Sequence, residues 1–262
     1  MDELLRGPNY NSEYNLIINC LMYEYDLSKA NINALYSRGV ISKELYDTLY
    51  TSDKFIREKH IGLMIRENNN IYKEIQAGII DAKKQLLISN NIDKENVISI
   101  KNDAVFTTVK CNYTKFGLMD FKLKNTYTLF IKINKYEFWY YYNPITGEEK
   151  LDVKGINDSK LDIHRNYFLD FLLELFNRLQ QHGVIEAINL LHAFSIAYIN
   201  RQLEIGYYRK FNSDSKYDVI VQNTIWSTIS ADNLSIIDIR YNYEILRDLY
   251  GVLIEYYFRK EK

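Results

Sequence analysis

The stretch Leu21-Met-Tyr-Glu-Tyr-Asp26-Leu-Ser-Lys-Ala-Asn31 decides how the rest of the chain is interpreted. It completes an apolar run that starts at Asn15 and predicts a buried strand ending on the carboxylate of Asp26. A second apolar run, Val97-Ile-Ser-Ile-Lys-Asn-Asp103-Ala-Val-Phe106, carries another aspartate near the tip of a predicted hairpin. A carboxylate at the end of a buried strand is costly unless water, a partner or a cation stabilises it. The two acids therefore raise the hypothesis of a phosphoryl-transfer site in which carboxylates share two cations about 4 Å apart.

Each aspartate also has a purely structural interpretation. Asp26 precedes a predicted helix, and Asp is a favourable N-cap residue. Asp103 follows Asn102, and Asn-Asp is ordinary turn chemistry. An ion pair between Lys101 and Asp103 at the surface would be worth only about 0–1 kcal/mol. Both interpretations stay open at the level of the sequence.

Composition limits the classes of protein that the chain can belong to. Its 262 residues, 47% hydrophobic and 26% charged, fit a folded protein of one large domain or two small ones. The net charge of -1 excludes a strongly basic nucleic-acid-binding protein, so any such surface is a local patch or depends on bridging metal ions. Cys20 and Cys111 form no disulfide framework or metal spacing. The frequent Ile, Asn, Lys and Tyr indicate an AT-rich, viral coding genome.

Periodicity predicts helices and strands along most of the chain. No apolar run reaches the roughly 18 residues of a membrane span, so no membrane partner is expected and a reducing cytoplasm is the expected location. The predicted helices span residues 28–37, 43–50, 71–89, 164–181, 185–202 and 242–259. A further predicted helix is capped by Ser52 and ends at residue 66. The predicted strands are 15–25, a hairpin over 97–109, 127–133, 138–142 and 150–153. The segment 207–230 is mixed in character.

This order of elements predicts an α+β fold. A first domain, residues 1–160, would contain an antiparallel sheet with packed helices. A second domain, residues 161–262, would be mainly helical.

Three segments, taken in order, resemble the palm domain of single-chain nucleic-acid polymerases, most closely the family B DNA polymerases. Asp26-Leu-Ser28-Lys-Ala-Asn31 resembles motif A, in which an Asp ends a strand and a helix follows. Helix 71–89 with the hairpin around Asp103 resembles motif C. Lys135-Tyr136 and Lys154-Gly155 are similar to the Lys-x-Tyr and Lys-Gly segment after motif C. Together the segments cover roughly residues 15–160, and the helical remainder would correspond to a thumb.

The resemblance implies a role for particular residues. Asp26 and Asp103 would be catalytic ligands of Mg²⁺ or Mn²⁺, with the backbone of Leu27 as a further oxygen ligand. Asn31 would lie near the sugar of an incoming nucleotide. Lys54 and Arg57 form a basic helical cluster at the place of the fingers and would bind its phosphates. The resemblance also implies that Lys135 and Lys154 lie near a primer–template duplex.

The chain departs from the family at two points. Lys101 replaces the first acid of the motif C pair, and the fingers motif is not recognisable. Two functions remain open. The first is a reduced DNA polymerase-like nucleotidyltransferase, complete in itself or completed by partner subunits of a replication complex. The second is a catalytically inactive, palm-derived nucleic-acid-binding or replication and assembly protein of a virus, in the host cytoplasm.

Overall fold

The computed structural model describes residues 4–5, 7, 9–156, 161–211 and 236–260. Its contacts divide the chain into two compact units. The first comprises Met1–Glu13 and Leu21–Thr126, and the second comprises Tyr14–Cys20 and Tyr127–Lys262. The fold is α+β, as the sequence predicted. The domain boundary near residue 160 stays a prediction.

The first unit contains antiparallel strands in the order β1-β3-β4-β2, with β6 next to β2 and β5 paired with β6. Residues 16–20 of β2 and 127–133 of β6 belong to the second unit. The strand bounds are β1 Tyr10–Asn11, β2 Leu16–Leu27, β3 Val97–Lys101, β4 Ala104–Thr107, β5 Lys115–Phe116 and β6 Met119–Ile133.

Four helices of the first unit bury apolar side chains in one cluster with its strands. Helix α4 contributes Ile75, Ile79, Ala82 and Leu86, the four residues whose spacing predicted one apolar face. Helices α1 and α4 pack closely, because Gly78 of α4 lies against Ala34 of α1. The helix bounds are α1 Ala30–Ser37, α2 Lys43–Thr51, α3 Lys54–Glu67 and α4 Asn70–Ser89, with a 3-10 turn at Lys94–Asn96.

The second unit packs helices against the antiparallel strands β6, β7 and β8. Phe138 and Tyr140 of β7 meet Phe176 of α5 edge to face, with ring centroids 5.6 and 6.4 Å apart. No helix in the described part of the chain is long and apolar enough to cross a membrane. The remaining bounds are β7 Tyr136–Tyr142, β8 Glu149–Lys154, α5 Phe168–His182, α6 Val184–Ile199 and α7 Ile236–Lys260, with 3-10 turns at Asp162–His164 and Ile205–Tyr208.

Several local predictions are corrected by the structure. Asp26 lies within β2, and the N-cap residue of α1 is Lys29, so Asp26 does not cap this helix. Helix α3 is capped by Asp53, whose Oδ1 accepts from the N–H of Ile56 at 2.9 Å, and not by Ser52. The short strands β1 and β5 were not predicted, since two residues give no periodicity. Most of the mixed segment 207–230 lies outside the described residues.

We expect alanine substitutions at two helical glycines to change stability in opposite directions. A Cβ at position 78 would lie 2.8 Å from the Ala34 Cβ, so Gly78→Ala should lower the free energy of unfolding by about 1–3 kcal/mol through overpacking. A Cβ added at Gly62 in α3 would have no atom within 4 Å. Gly62→Ala should therefore raise the free energy of unfolding by about 1 kcal/mol, because Ala favours the helix more than Gly does. Denaturant titration measures the free energy of unfolding of both variants. If Gly78→Ala were stabilised as much as Gly62→Ala, the close α1–α4 packing would be contradicted.

Candidate metal centre

Asp26 and Asp103 lie on neighbouring strands of the first unit. Asp26 is paired with Ala104 across the antiparallel ladder between β2 and β4, so Asp103 adjoins its direct partner. The ladder continues beyond this pair, because the N–H of Leu27 donates to the carbonyl of Asp103 at 3.0 Å. The two acids that the sequence singled out are therefore brought to the same end of the two strands.

Hydrogen bonds hold the turn that carries Asp103. Asn102 has a φ of 46°, a left-handed conformation that Asn adopts more readily than most residues. Its N–H donates to Oδ1 of Asn9 at 3.0 Å. The neighbouring Lys101 donates from Nζ to Oδ1 of Asn11 at 2.8 Å. The ammonium of Lys101 is thus held by an amide from β1.

Lys83 reaches the same turn from α4. Its side chain is fully buried, and its Nζ donates to the carbonyl of Asn102 at 2.8 Å. Burial lowers the pKa of Lys83 to about 8, while the negative charge of Asp103 acts in the opposite direction. A pKa of about 8 leaves the amine mainly protonated at neutral pH. The turn therefore has a buried ammonium on its inner side.

Asp103 is half-buried, and its pKa is raised. Desolvation is the largest cause, and the negative charge of Asp26 is the second. A hydrogen bond with its own backbone and the charges of Lys124 and Lys83 act in the opposite direction. Asp26 is thus close enough for its charge to oppose the ionisation of Asp103. A cation between the two carboxylates would relieve this repulsion.

Lys124 and Glu24 complete the charges around Asp26. Lys124 lies on β6, with Nζ 3.8 Å from Oδ2 of Asp26 and 3.7 Å from Oε1 of Glu24. Glu24 precedes Asp26 by two residues and shares its face of β2. It is buried, and its Oε2 accepts from Nδ2 of Asn125 at 2.6 Å. A third carboxylate therefore lies beside the pair and is already held by an amide and an ammonium.

The donor atoms suit a hard cation such as Mg²⁺. This ion is commonly bound through one or two carboxylates together with substrate phosphates and water. Asp26 and Asp103 supply the two carboxylates, and the negative charge of Asp26 is, after burial, the second cause of the raised pKa of Asp103. Within the described ranges, no group of three or more His, Cys, Asp or Glu side chains is placed to hold a metal ion. Any ion shared by Asp26 and Asp103 would have to complete its coordination with ligands from solution.

The predicted nucleotide-binding residues lie in the same unit, and two of them meet at Glu58. Nδ2 of Asn31 donates to Oε2 of Glu58 at 2.8 Å. Arg57 is buried, with Nε 3.7 Å from Oε1 of Glu58 and Nη1 donating to the carbonyl of Ser52 at 3.2 Å. Lys54 is exposed at the start of α3. Arg57 is therefore engaged within the protein, and Lys54 is the one of the two cations that faces solvent.

The predicted nucleic-acid-binding residues belong to the second unit. Lys135 lies in the turn between β6 and β7, exposed, with Nζ 5.7 Å from the ring centroid of Tyr136. Lys154 ends β8 opposite Glu137 of β7. Gly155, at φ +94°, passes so close to Lys135 that an added Cβ would lie 2.3 Å from its carbonyl oxygen. The Lys-x-Tyr and Lys-Gly segments are thus in direct backbone contact.

Sequence reasoning missed Lys83, Glu24 and Lys124. Lys83 falls four residues after Ile79, on the apolar face of α4, and a lysine at such a position is a signal that could have been used. Glu24 lies two residues before Asp26, which is the same-face spacing of a strand. Lys124 gave no signal, because its distance to Asp26 depends on the pairing of β2 with β6.

We expect Asp103→Asn to stabilise the chain at neutral pH. Because the folded-state pKa of Asp103 is raised, the unfolded carboxyl ionises first as the pH rises, and wild type loses stability until the pH passes the folded-state pKa. Asn does not ionise and escapes this loss. The thermal midpoint of the variant should match wild type near about pH 3. At pH 7 it should be higher by about 2–4 °C for each 1 kcal/mol gained.

A control for net charge is Asp47→Asn, which removes an exposed carboxylate from α2. Thermal melts of the three proteins from pH 3 to pH 8 make the comparison. A lower midpoint for Asp103→Asn than for wild type at pH 7 would mean that the folded protein stabilises the ionised carboxylate, contrary to the charges described above.

Comparison with known proteins identifies a family. The profile of the Bacteriophage PBS1 gene 130 protein family matches residues 1–253, which include most of both units. No curated protein matches the chain. The family description names a phage gene product and no activity, and it supports the viral origin that the composition indicated. The chain belongs to the Bacteriophage PBS1 gene 130 protein family.

Proposed function

We propose that this phage protein is a reduced, DNA polymerase-like nucleotidyltransferase palm that uses Mg²⁺ or Mn²⁺ bound by Asp26 and Asp103. The observation that carries the proposal is the backbone hydrogen bond from Leu27 to Asp103, which extends the β2–β4 ladder and brings the backbones of Asp26 and Asp103 to the same end of the two strands. The raised pKa of Asp103, caused in part by Asp26, supports a site where a cation lowers the free energy.

The residues around the two acids would each have a separate role in phosphoryl transfer. A bound divalent ion would polarise a phosphoryl oxygen and lower the pKa of the attacking hydroxyl. The carboxylates of Asp26 and Asp103 would hold the ion, with the backbone of Leu27 as a further oxygen ligand. Lys124 would balance the charge of Asp26 from β6.

Substrate contacts would come from residues farther from the acids. Asn31, five residues after Asp26, would face the sugar of a nucleotide, and Lys54 would contact its phosphates. Arg57 would orient Glu58 and, through it, Asn31. The Lys135 and Lys154 segments would contact the backbone of a primer–template. Partner subunits of a replication complex in the host cytoplasm would supply the fingers that the sequence does not show.

A second function is favoured by Lys101. This residue stands where motif C has its first acid, and its Nζ is bound to Asn11. An ammonium at this position opposes cation binding. The chain would then be a catalytically inactive, palm-derived protein that binds nucleic acid or a replication partner.

Metal binding and primer extension test the first function. Wild type should bind Mn²⁺ and extend a primer with dNTPs or rNTPs, whereas Asp26→Asn and Asp103→Asn should each weaken Mn²⁺ binding by at least about tenfold, as expected when a charged ligand is lost. Lys101→Asp should tighten Mn²⁺ binding, because it replaces an opposing charge with a carboxylate. Isothermal titration and a gel-based extension assay give the readouts.

A combination of two results would contradict the first function. Wild type that extends no primer, with the same weak Mn²⁺ binding as Asp26→Asn and Asp103→Asn, contradicts a catalytic metal site. Asp120→Asn is a matched control, because this acid on β6 pairs with Lys122 at 2.6 Å and its removal should leave metal affinity unchanged.

Nucleic-acid binding tests the second function. A phosphate-binding surface should lose affinity with rising salt, and each lost phosphate contact should reduce the slope of log K against log salt by about 1. We expect this reduction for Lys135→Ala and for Lys154→Ala, and no change for Asp103→Asn. Fluorescence anisotropy with single- and double-stranded oligonucleotides measures it. Binding that is absent, or independent of salt, would leave a protein partner as the target.

A further inference from the structure

Lys83 is the one fully buried charged side chain among the described residues of the first unit's helices. Burying an ammonium costs free energy unless a partner compensates it. The carbonyl of Asn102, 2.8 Å from Nζ, and the charge of Asp103 provide compensation at this turn. A side chain with no exposed surface cannot contact a substrate. Lys83 can therefore affect the candidate site only through its charge and by holding the turn that carries Asp103 in position.

Two ammonium groups already act on the acid pair, and one of them, Lys124, also lies near the third carboxylate, Glu24. Asp26 and Asp103 contribute two negative charges, and Lys83 and Lys124 contribute two positive ones that act on Asp103. Lys124 is half exposed and can swing away from Asp26, whereas Lys83 is fixed by the core. A divalent ion near a fixed ammonium is repelled twice as strongly as a monovalent ion at the same distance. A second divalent ion on the Asn102 side of the turn is therefore disfavoured.

We propose that Lys83 is a resident cation that takes the place of a second metal ion, so that the Asp26–Asp103 site binds one divalent cation. This inference rests on the proposed function and specifies its metal requirement. The site would then work with one exchangeable ion and one positive charge that belongs to the protein.

A purely structural role for Lys83 predicts the opposite response to mutation. If Lys83 only supported the turn, its loss would misplace Asp103 and weaken metal binding. If it acts as a resident cation, its loss would remove a repulsive charge and strengthen metal binding. The sign of the change in Mn²⁺ affinity therefore separates the two roles.

Mn²⁺ titration followed by electron paramagnetic resonance tests the proposal on the full chain. Wild type should bind one Mn²⁺ that Asp26→Asn removes. Lys83→Met, which keeps the length of the side chain without its charge, should bind Mn²⁺ at least about tenfold more tightly or take up a second ion. Lys84→Met is the matched control from the exposed side of the same helix and should behave as wild type.

The outcomes distinguish this inference from the proposed function. Two ions bound by wild type, or weaker binding by Lys83→Met with unchanged circular dichroism, would overturn the inference and leave a metal-dependent function standing. A wild-type stoichiometry of two ions overturns the inference even if Lys83→Met does not fold. No Mn²⁺ at the acid pair of wild type would overturn the proposed function, and the inference with it.

Discussion

The candidate site depends on the antiparallel pairing of β2 with β4. The ladder runs from Tyr23 opposite Thr107 to Asp26 opposite Ala104, and every residue of β4 is buried. Because both faces of β4 are covered, a shift of the register by one residue would put Ala, Val, Phe and Thr side chains of different size into each packed position, so the core fixes the register. The position of Asp103 relative to Asp26 is therefore set by apolar burial and backbone hydrogen bonds. The two carboxylates repel each other, so their own interaction does not contribute to this placement.

This pairing places the charged side chains of Asp103 and Lys83 in a half-buried and a fully buried environment, where desolvation raises the free energy of the charged forms. Desolvation and Asp26 raise the pKa of Asp103, and burial lowers that of Lys83. Perturbed groups of opposite sign at one turn are typical of functional sites, although structural ion pairs also perturb pKa values. Here the acids lie at the end of two strands, and the ammonium comes from a helix on the inner side of the turn.

Much of the fold could be predicted from local patterns, and the site only in part. The apolar run before Asp26 predicted β2, and the spacing of Ile75, Ile79 and Leu86 predicted α4, because both signals are confined to one element. The adjacency of Asp26 and Asp103 was a hypothesis, since it required the helices between the two acids to return the chain beside its first strand. The contributions of Lys83 and Lys124 could not be predicted in this way, since each depends on packing or pairing between segments distant in sequence. The burial of Arg57, which the helical pattern had placed on a basic face, has the same origin.

The central claim is that Asp26 and Asp103 share a divalent cation. The most direct test is a crystal of the full chain soaked in Mn²⁺, with the ion located by its anomalous scattering. We expect a single peak about 2.0–2.3 Å from a carboxylate oxygen of both Asp26 and Asp103, which are distances suited to an oxygen-ligated ion of this size. A map without a peak between these residues, or carboxylates more than about 10 Å apart, too far to share even a metal pair spaced about 4 Å, would contradict it.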